Sequence, residues 1–361
     1  MIVADDAIPH LDAAFGTDAV RRVRGADIGR SHLQNATALL VRSVTRVDAN
    51  LLEGTPVRFV GSATAGTDHV VRADLDALGI HFAHAPGCNA RAVTEYVLTA
   101  LLSFGGFTDP VGVVGYGQIG RRLTTALRRL GYTVLVCDPP RADAGFEDER
   151  YHPLSTLLRG CPTLSLHVPK VLDGAYATRH LLDAEALATL PTGALVLNTC
   201  RGDVVDNAAL HAWLDAGHGH AVLDVWEGEP NVRSGLLRHP AIRLATPHIA
   251  GYTAEGKARG TRMVHDALQQ HLKTTPTFEE RAVLEPVAAL PKDADAPAVL
   301  RTLHPLHAPD ADLRGLLRLP AVDRPRAFEA LRRGYVLRRE LSAVPATSAA
   351  TSLFAALQGL S

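Results

Sequence analysis

Hydrophobic residues in this chain come in short unbroken runs, each bounded by glycine, proline or polar residues. The runs lie within residues 37–43, 57–64, 111–115, 133–138, 163–169, 194–200, 221–226 and 243–249. An apolar run that does not alternate with polar positions is typical of a strand buried on both faces, as in a parallel sheet covered by helices. We therefore predict parallel strands at these positions.

Segments with apolar side chains at helical spacing alternate with the predicted strands. They cover residues 90–103, 119–130, 207–217 and 253–272. Alternation of strand and helix predicts an α/β fold with doubly wound, Rossmann-like parallel sheets. After residue 272 the chain becomes rich in proline and charge, and the leucine-spaced segment 328–341 predicts a further small unit.

The composition favours small-molecule chemistry. Hydrophobic residues make up 47% and charged residues 21% of the 361 residues, as in an ordinary globular protein. The formal net charge of -1 gives no electrostatic reason to expect a nucleic acid or an acidic membrane as partner. No apolar run approaches the roughly 20 residues of a membrane span, and residues 1–12 do not have the pattern of a targeting peptide. These features predict a cytoplasmic protein. We expect no metal site, because the four cysteines do not have the spacing of metal ligands.

A glycine-rich loop stands between a predicted strand and a predicted helix. The stretch VGVVGYGQIGRR, residues 111–122, places Gly115, Gly117 and Gly120 in G-x-G-x-x-G spacing. In that context the glycines permit a tight turn, a close approach of a pyrophosphate to the backbone, and close helix packing. The free N–H groups of the helix N-terminus favour the phosphates further. We predict a dinucleotide site here, and it includes Gln118 and Ile119.

An acidic residue follows the next predicted strand. Asp138 is placed where a carboxylate accepts hydrogen bonds from the adenosine ribose and repels a 2'-phosphate. This favours NAD over NADP, although the nearby Arg141 weakens the argument.

Three chemically different side chains, Arg201, Glu229 and His248, each follow a predicted strand. Oxidation of a hydroxy acid needs a base, a group that tunes it and a cation for the carboxylate. The carboxyl ends of parallel strands form the edge where open α/β sheets bind ligands. Each residue alone has a structural explanation, and His248 is one of 17 histidines. Together, behind a cofactor loop, they predict a catalytic set.

The motifs around these residues resemble the D-2-hydroxyacid dehydrogenase family. They are R-G-x-x-V-D at 201–206, D-V-W-x-x-E-P at 224–230 and H-I-A-G at 248–251. The resemblance implies that Arg201 holds the substrate carboxylate and the C2 oxygen. It implies that His248 takes the C2 hydroxyl proton while a hydride goes to NAD, and that Glu229 hydrogen-bonds the imidazole and favours its charged form.

The resemblance also implies ligand contacts outside the catalytic set. The implied substrate positions are Ser43, Thr64 and Tyr252, and the further cofactor positions are Asp138, Val168, Thr199, Cys200, Arg201, Asp224 and Gly251. Val168 stands where the family usually has a threonine. A phosphate dianion requires fixed positive charge, so we add Arg42 and Arg46, which flank Ser43, as candidates for a substrate phosphate.

The resemblance further implies a domain organisation and a substrate class. A flavodoxin-like substrate domain would comprise residues 1–92 and 253–275, the NAD-binding domain residues 93–252, and a small α+β dimerisation domain residues 276–361. Narrower stretches such as FVGSATAGTDHV, residues 59–70, are similar to one family member that acts on a phosphorylated 2-hydroxy acid. Two alternatives stay open: a relative that acts on 3-phosphoglycerate, and a non-catalytic NAD-sensing binding protein.

Overall fold

The computed structural model describes residues 1–103, 107–287, 295–344 and 351–357, and these form two compact units. Met1–Asn89 and Tyr252–Val287 make up the first unit. The second contains Ala90–Gly251 and the described residues after 294. The predicted three-domain division stays a prediction.

The first unit contains a five-stranded parallel sheet in the order β2-β1-β3-β4-β5. Its strands are β1 (Ile2–Asp5), β2 (Val20–Val23), β3 (Ala38–Val41), β4 (Phe59–Ser62) and β5 (His81–His84). Its first helices are α1 (Leu11–Phe15), α2 (Ala49–Leu52) and α3 (Arg72–Ala77). This is the flavodoxin-like strand order, in which the chain reverses direction across the sheet between β1 and β3.

Both faces of this first sheet are covered. Adjacent residues of β3, Leu39 and Leu40, belong to separate apolar clusters because successive side chains of a strand point to opposite faces. The cluster of Leu40 includes Val264 and Leu268, which belong to the returning segment of the first unit. Burial on both faces explains the unbroken apolar runs of the inner strands.

The second unit contains a six-stranded parallel sheet in the order β11-β10-β9-β8-β6-β7. Its strands are β6 (Val111–Val114), β7 (Val134–Cys137), β8 (Thr163–Leu166), β9 (Ala194–Asn198), β10 (Gly219–Leu223) and β11 (Ile242–Ala245). The helices of this unit that precede β11 in the chain are α4 (Ala90–Ser103), α5 (Gln118–Arg129), α6 (Pro139–Asp143), α7 (Leu154–Gly160), α8 (Ala184–Thr189), α9 (Asn207–Asp215) and α10 (Ser234–Arg238). The strand order reverses between β6 and β8, which makes the carboxyl ends of these strands the expected ligand crevice.

The chain then returns to the first unit as α11 (Ala254–His271), whose first turn is capped by Thr253. The Thr253 hydroxyl accepts a hydrogen bond of 3.0 Å from the Gly256 N–H. No described helix combines the length and the apolar composition that a bilayer crossing requires.

The described C-terminal residues form helices α12 (Ala296–Leu303), α13 (His307–Gly315), α14 (Arg324–Arg333) and α15 (Thr351–Leu357). They pack on the second unit, since Leu313 and Phe328 share a buried apolar cluster with Trp226 and Ala245. Named strands do not occur among the described residues of this segment, so the α+β character of a C-terminal domain stays a prediction.

Candidate active site

The three predicted catalytic residues follow three neighbouring strands of the second sheet. Arg201 follows β9, Glu229 follows β10 and His248 follows β11. Because these strands are parallel and adjacent, their carboxyl ends lie at one edge of the sheet. The fold therefore places the three residues on the same side of the unit.

Glu229 and His248 form a hydrogen-bonded pair. One carboxylate oxygen of Glu229, Oε1, contacts Nδ1 of His248, and the other, Oε2, accepts a hydrogen bond of 3.1 Å from the Trp226 N–H. Burial favours a higher pKa for Glu229, but the charges of His248 and Arg332 and the two hydrogen bonds outweigh it and hold the pKa below its ordinary value. Glu229 is thus a carboxylate that orients the imidazole, and Nε2 is the nitrogen that can exchange a proton with a substrate.

A tight turn carries His248. Its φ of 57° lies in the left-handed region, which is uncommon outside glycine. The main-chain oxygen of Asp224 accepts from the His248 N–H at 2.7 Å, and the Asp224 carboxylate accepts from the N–H groups of Ile249 and Ala250 at 2.7 and 2.9 Å. Asp224 is buried, and burial raises its pKa although these hydrogen bonds oppose the rise. Asp224 therefore supports the turn of His248, and its contact with the cofactor stays a prediction.

The loop that carries Arg201 has little freedom. Asn198 donates a hydrogen bond of 2.9 Å to the main-chain oxygen of Arg201, whose guanidinium donates to the Cys200 oxygen at 2.7 Å. A Cβ atom added to Gly202 would lie 2.1 Å from the main chain of Trp226. The glycine of the R-G motif is therefore required for close packing, which fixes where Arg201 emerges.

The glycine loop between β6 and α5 has the shape that a pyrophosphate needs. Gly115 has a φ of +93°, and a Cβ on Gly120 would lie 1.9 Å from the Gly115 oxygen. A Cβ on Gly117, by contrast, would meet no atom within 4 Å in the described chain. The loop is tight where it packs against itself and open at Gly117, next to the N-terminus of α5, where Gln118 and Ile119 begin the helix.

Two buried polar atoms at the same sheet edge make no hydrogen bond within the described residues. They are Oγ1 of Thr199, after β9, and Nδ1 of His167, after β8. Burial lowers the pKa of His167 to about 3, so this ring is neutral. Val168 lies next to the glycine loop, with its Cγ1 3.0 Å from the position of a Cβ on Gly115. Unused hydrogen-bonding capacity beside the loop fits a polar ligand such as the cofactor.

Asp138 is anchored to the glycine loop. Its Oδ2 accepts from the Tyr116 N–H at 2.7 Å, and its Oδ1 caps α6 through the Arg141 N–H at 3.1 Å. The Arg141 guanidinium is engaged elsewhere, at 2.6 Å from Asp148 and 2.9 Å from the Tyr151 hydroxyl. The cation that weakened the preference for NAD in the sequence is thus paired with an acid.

We expect NADH to bind at least about tenfold more tightly than NADPH, because Asp138 repels a 2'-phosphate and Arg141 is neutralised by Asp148. Fluorescence titration of both cofactors measures the ratio. In Asp148→Asn the guanidinium loses its acidic partner but keeps the Tyr151 hydroxyl, and we expect the ratio to fall. Tighter binding of NADPH by the wild-type protein would contradict the assignment.

The predicted substrate residues lie in the first unit. Thr64 hydrogen-bonds the Ser62 hydroxyl at 2.8 Å, and Ser43 is exposed. Cζ of Arg42 lies over the ring of Tyr252 at 5.7 Å. Arg46 is instead exposed and paired with Asp48 at 3.0 Å, which makes it the weaker phosphate candidate.

A second cation, Lys257, was missed in the sequence. Its Nζ lies 4.2 Å from the centre of the Tyr252 ring, so the ring has Lys257 and Arg42 as cationic neighbours. Its place five residues after Tyr252, in the first turns of a predicted helix, was the available signal.

One group outside the catalytic set has the composition of a metal site: His180, Asp206 and Glu227. Nε2 of His180 lies 2.6 Å from Glu227, while Nδ1 faces Asp206 at 3.7 Å. The carboxylates also cap α9, through the Asn207 and Ala208 N–H groups at 3.1 and 2.8 Å. Because the two ring nitrogens face different carboxylates, we assign the group to hydrogen bonding at the start of α9.

The chain is similar to known dehydrogenases. The chain is 43% identical over 362 aligned positions to the erythronate-4-phosphate dehydrogenases of Salmonella typhimurium strain LT2 and Salmonella typhi, with 95% of this chain and 93% of each relative covered. The solved D-lactate dehydrogenase of Aquifex aeolicus, complexed with NAD and lactic acid, shares the fold with a TM-score of 0.62 at 21% identity, over 76% of this chain and 96% of that one. Residues 104–250 match the family described as D-isomer specific 2-hydroxyacid dehydrogenase, NAD binding domain. The chain therefore belongs to the D-2-hydroxyacid dehydrogenase family and carries that family's NAD-binding domain.

Proposed function

We propose that this protein is an erythronate-4-phosphate dehydrogenase. It would oxidise the C2 hydroxyl of 4-phospho-D-erythronate with NAD and give (R)-3-hydroxy-2-oxo-4-phosphooxybutanoate, a step in pyridoxal 5'-phosphate biosynthesis. The observation that carries the proposal is the Glu229–His248 pair beside the Arg201 loop, in a chain 43% identical to enzymes of that name.

Three residues of the second unit have separate roles in the proposed reaction. Nε2 of His248 accepts the proton of the C2 hydroxyl, and Glu229, held ionised by its lowered pKa, stabilises the imidazolium that forms. Arg201 binds the carboxylate and the C2 oxygen with its planar donors. NAD, when bound at Gly115, Gly117, Gly120 and Asp138, supplies the acceptor for the hydride that leaves C2.

The substrate phosphate is assigned to Arg42 and Lys257. Both are partly buried beside Tyr252, and a phosphate dianion next to two cations gains charge-assisted hydrogen bonds. The paired, exposed Arg46 is a secondary candidate. Ser43, Thr64 and Tyr252 complete the proposed substrate set.

The deciding experiment compares substrates for the purified protein with NAD and a 2-oxo acid as the final electron acceptor. We expect turnover of 4-phospho-D-erythronate and much weaker turnover of 3-phosphoglycerate. Preferred turnover of 3-phosphoglycerate would support the first alternative. Absence of turnover with NADH still bound would support the NAD-sensing alternative, which a partner recovered in an NADH-dependent manner would establish.

Loss of the two cations is expected to act on phosphorylated substrate. In Arg42→Met and Lys257→Met we expect KM for 4-phospho-D-erythronate to rise about 10- to 100-fold, since a charge-assisted hydrogen bond contributes about 1.5–3 kcal/mol. Turnover of D-erythronate without its phosphate should change by less than about threefold. Arg22→Met is the matched control, since Arg22 is an exposed arginine of the first unit paired with Asp12, and it should behave like wild type. Equal losses on both substrates would show that these cations do not bind the phosphate.

We also propose that the protein works in the cytoplasm as a homodimer, with residues 276–361 as the pairing domain. Light scattering on the purified full chain gives the mass in solution. A monomer at micromolar concentration would contradict the pairing.

A further inference from the structure

A buried arginine of the C-terminal segment contacts the turn that carries His248. Arg338 is 4% exposed, and its Nη2 donates to the main-chain oxygens of Ile249 and Ala250 at 3.2 and 2.5 Å. These are the two residues directly after His248 in the chain. Arg338 therefore contacts the catalytic turn although it lies 88 residues beyond Ala250 in the chain.

Two opposite charges hold this turn from its two sides. The Asp224 carboxylate accepts from the N–H groups of Ile249 and Ala250, and Arg338 donates to the oxygens of the same two residues. A non-glycine residue at φ 57° persists only where the surroundings fix the backbone. Removing either charge takes a hydrogen-bonding partner from buried main-chain groups, which destabilises this arrangement of the turn.

Arg338 is itself fixed by aromatic rings and by its neighbours in the chain. Its Cζ lies over the rings of Tyr96 and Tyr335 at 5.4 and 5.9 Å. Three residues later, the N–H of Leu341 donates to both oxygens of the buried Glu95 on α4, at 3.1 and 3.0 Å. The guanidinium is therefore placed by the packing of the C-terminal segment on α4.

The ring of Tyr96 connects the two charges. Its hydroxyl hydrogen-bonds the Thr246 hydroxyl at 2.6 Å, and Thr246 donates to Asp224 at 2.6 Å. Asp224, Thr246, Tyr96 and Arg338 thus form one buried network around the residues that flank His248. Nη2 is the guanidinium nitrogen that joins this network to the turn, whereas Nε and Nη1 of Arg338 make no hydrogen bond within the described residues.

We propose that Arg338 is a positioning residue for the catalytic base: the C-terminal segment holds the His248 turn in its active shape. The inference rests on the proposed function, because it takes His248 as the base. It adds that residues beyond the NAD-binding domain determine the activity of that domain's own catalytic histidine. Arg338 acts through the backbone of Ile249 and Ala250 and does not contact the reactants.

The test compares Arg338→Met and Arg338→Lys with Arg314→Met in the full-length protein. Arg314 is a matched control, since it is also a C-terminal arginine that donates to two main-chain oxygens, those of Leu237 and Ile242, at 2.7 and 2.8 Å. Its two main-chain partners lie on α10 and at the start of β11, before the catalytic turn. The measurements are the folded fraction, NADH affinity, the pH profile of kcat, and the pH titration of the His248 imidazole by NMR.

We expect kcat of Arg338→Met to fall about 10- to 100-fold per folded molecule, because displacement of a catalytic group by about 1 Å costs up to about 100-fold. NADH affinity should change less than about threefold, and both the pH profile of kcat and the His248 titration should shift. Arg338→Lys should fall between wild type and methionine. Arg314→Met should lose stability while keeping the wild-type pH profile and titration.

A pH profile and a His248 titration in Arg338→Met that match wild type would overturn the inference, as would losses equal to those of Arg314→Met. If Arg338→Met does not fold, Arg338→Lys decides by the same two readouts. The NMR titration uses no substrate. Absence of turnover in wild type would therefore reject the proposed function, while an unshifted titration in the Arg338 variants would reject the positioning role.

Discussion

We expect His248→Asn to lower kcat for 4-phospho-D-erythronate by about 10²- to 10⁴-fold, the usual contribution of a general base, and to leave NADH affinity within about twofold. The reason is that the variant removes Nε2, the atom that accepts the hydroxyl proton, without touching the glycine loop at Gly115–Gly120. Steady-state turnover and NADH fluorescence measure the two effects separately.

A matched control is His211→Asn, a histidine of the same unit that faces Asp215 at 3.7 Å on α9. Its turnover should equal that of wild type. If His248→Asn retained more than about a tenth of wild-type kcat, the base would have to be another group at the edge of β9–β11.

Replacement of Glu229, the partner of His248, is expected to shift the pH profile of kcat in a defined direction. The pKa of Glu229 is lowered, so this group is ionised above the ordinary carboxyl range and favours the charged imidazole. Glu229→Gln keeps the shape but removes the charge. The charged form of the base then loses stability, and the acid limb of the pH profile of kcat should move to lower pH, with a lower kcat at the plateau.

Eight of the eleven described strands follow from the sequence, but β1, β2 and β5 do not. All eight predicted strands are confirmed, because burial on both faces leaves an unbroken apolar run. β2 and β5 were missed since they are edge strands with exposed and polar positions, VRRV and HFAH. β1 was missed because its apolar run ends after three residues at Asp5.

Some features of the candidate site could also be predicted from the sequence and others could not. The positions of Arg201, Glu229 and His248 after adjacent strands could be predicted because each lies in a local motif that follows an apolar run, while their catalytic roles stay predictions. The support of the His248 turn by Asp224 and Arg338 was not, since the contact with Arg338 joins residues 88 apart that share no motif. Lys257 was hidden for a related reason: its neighbour Arg42 comes from a distant strand end.

Arg201→Met is expected to reduce kcat/KM for 4-phospho-D-erythronate by about 10²- to 10³-fold, the cost of removing a donor that stabilises charge at a reacting oxygen. Arg201 follows β9 on a loop fixed by Asn198 and by the close packing of Gly202, so its side chain leaves the main chain at a defined position. Arg201→Lys keeps the charge but loses the planar fork, and its kcat/KM should lie between those of wild type and methionine. Arg159→Met, on the exposed face of α7, serves as control. If lysine restored full activity, Arg201 would act as a point charge alone. If methionine changed kcat/KM by less than about threefold, the substrate carboxylate would be bound elsewhere.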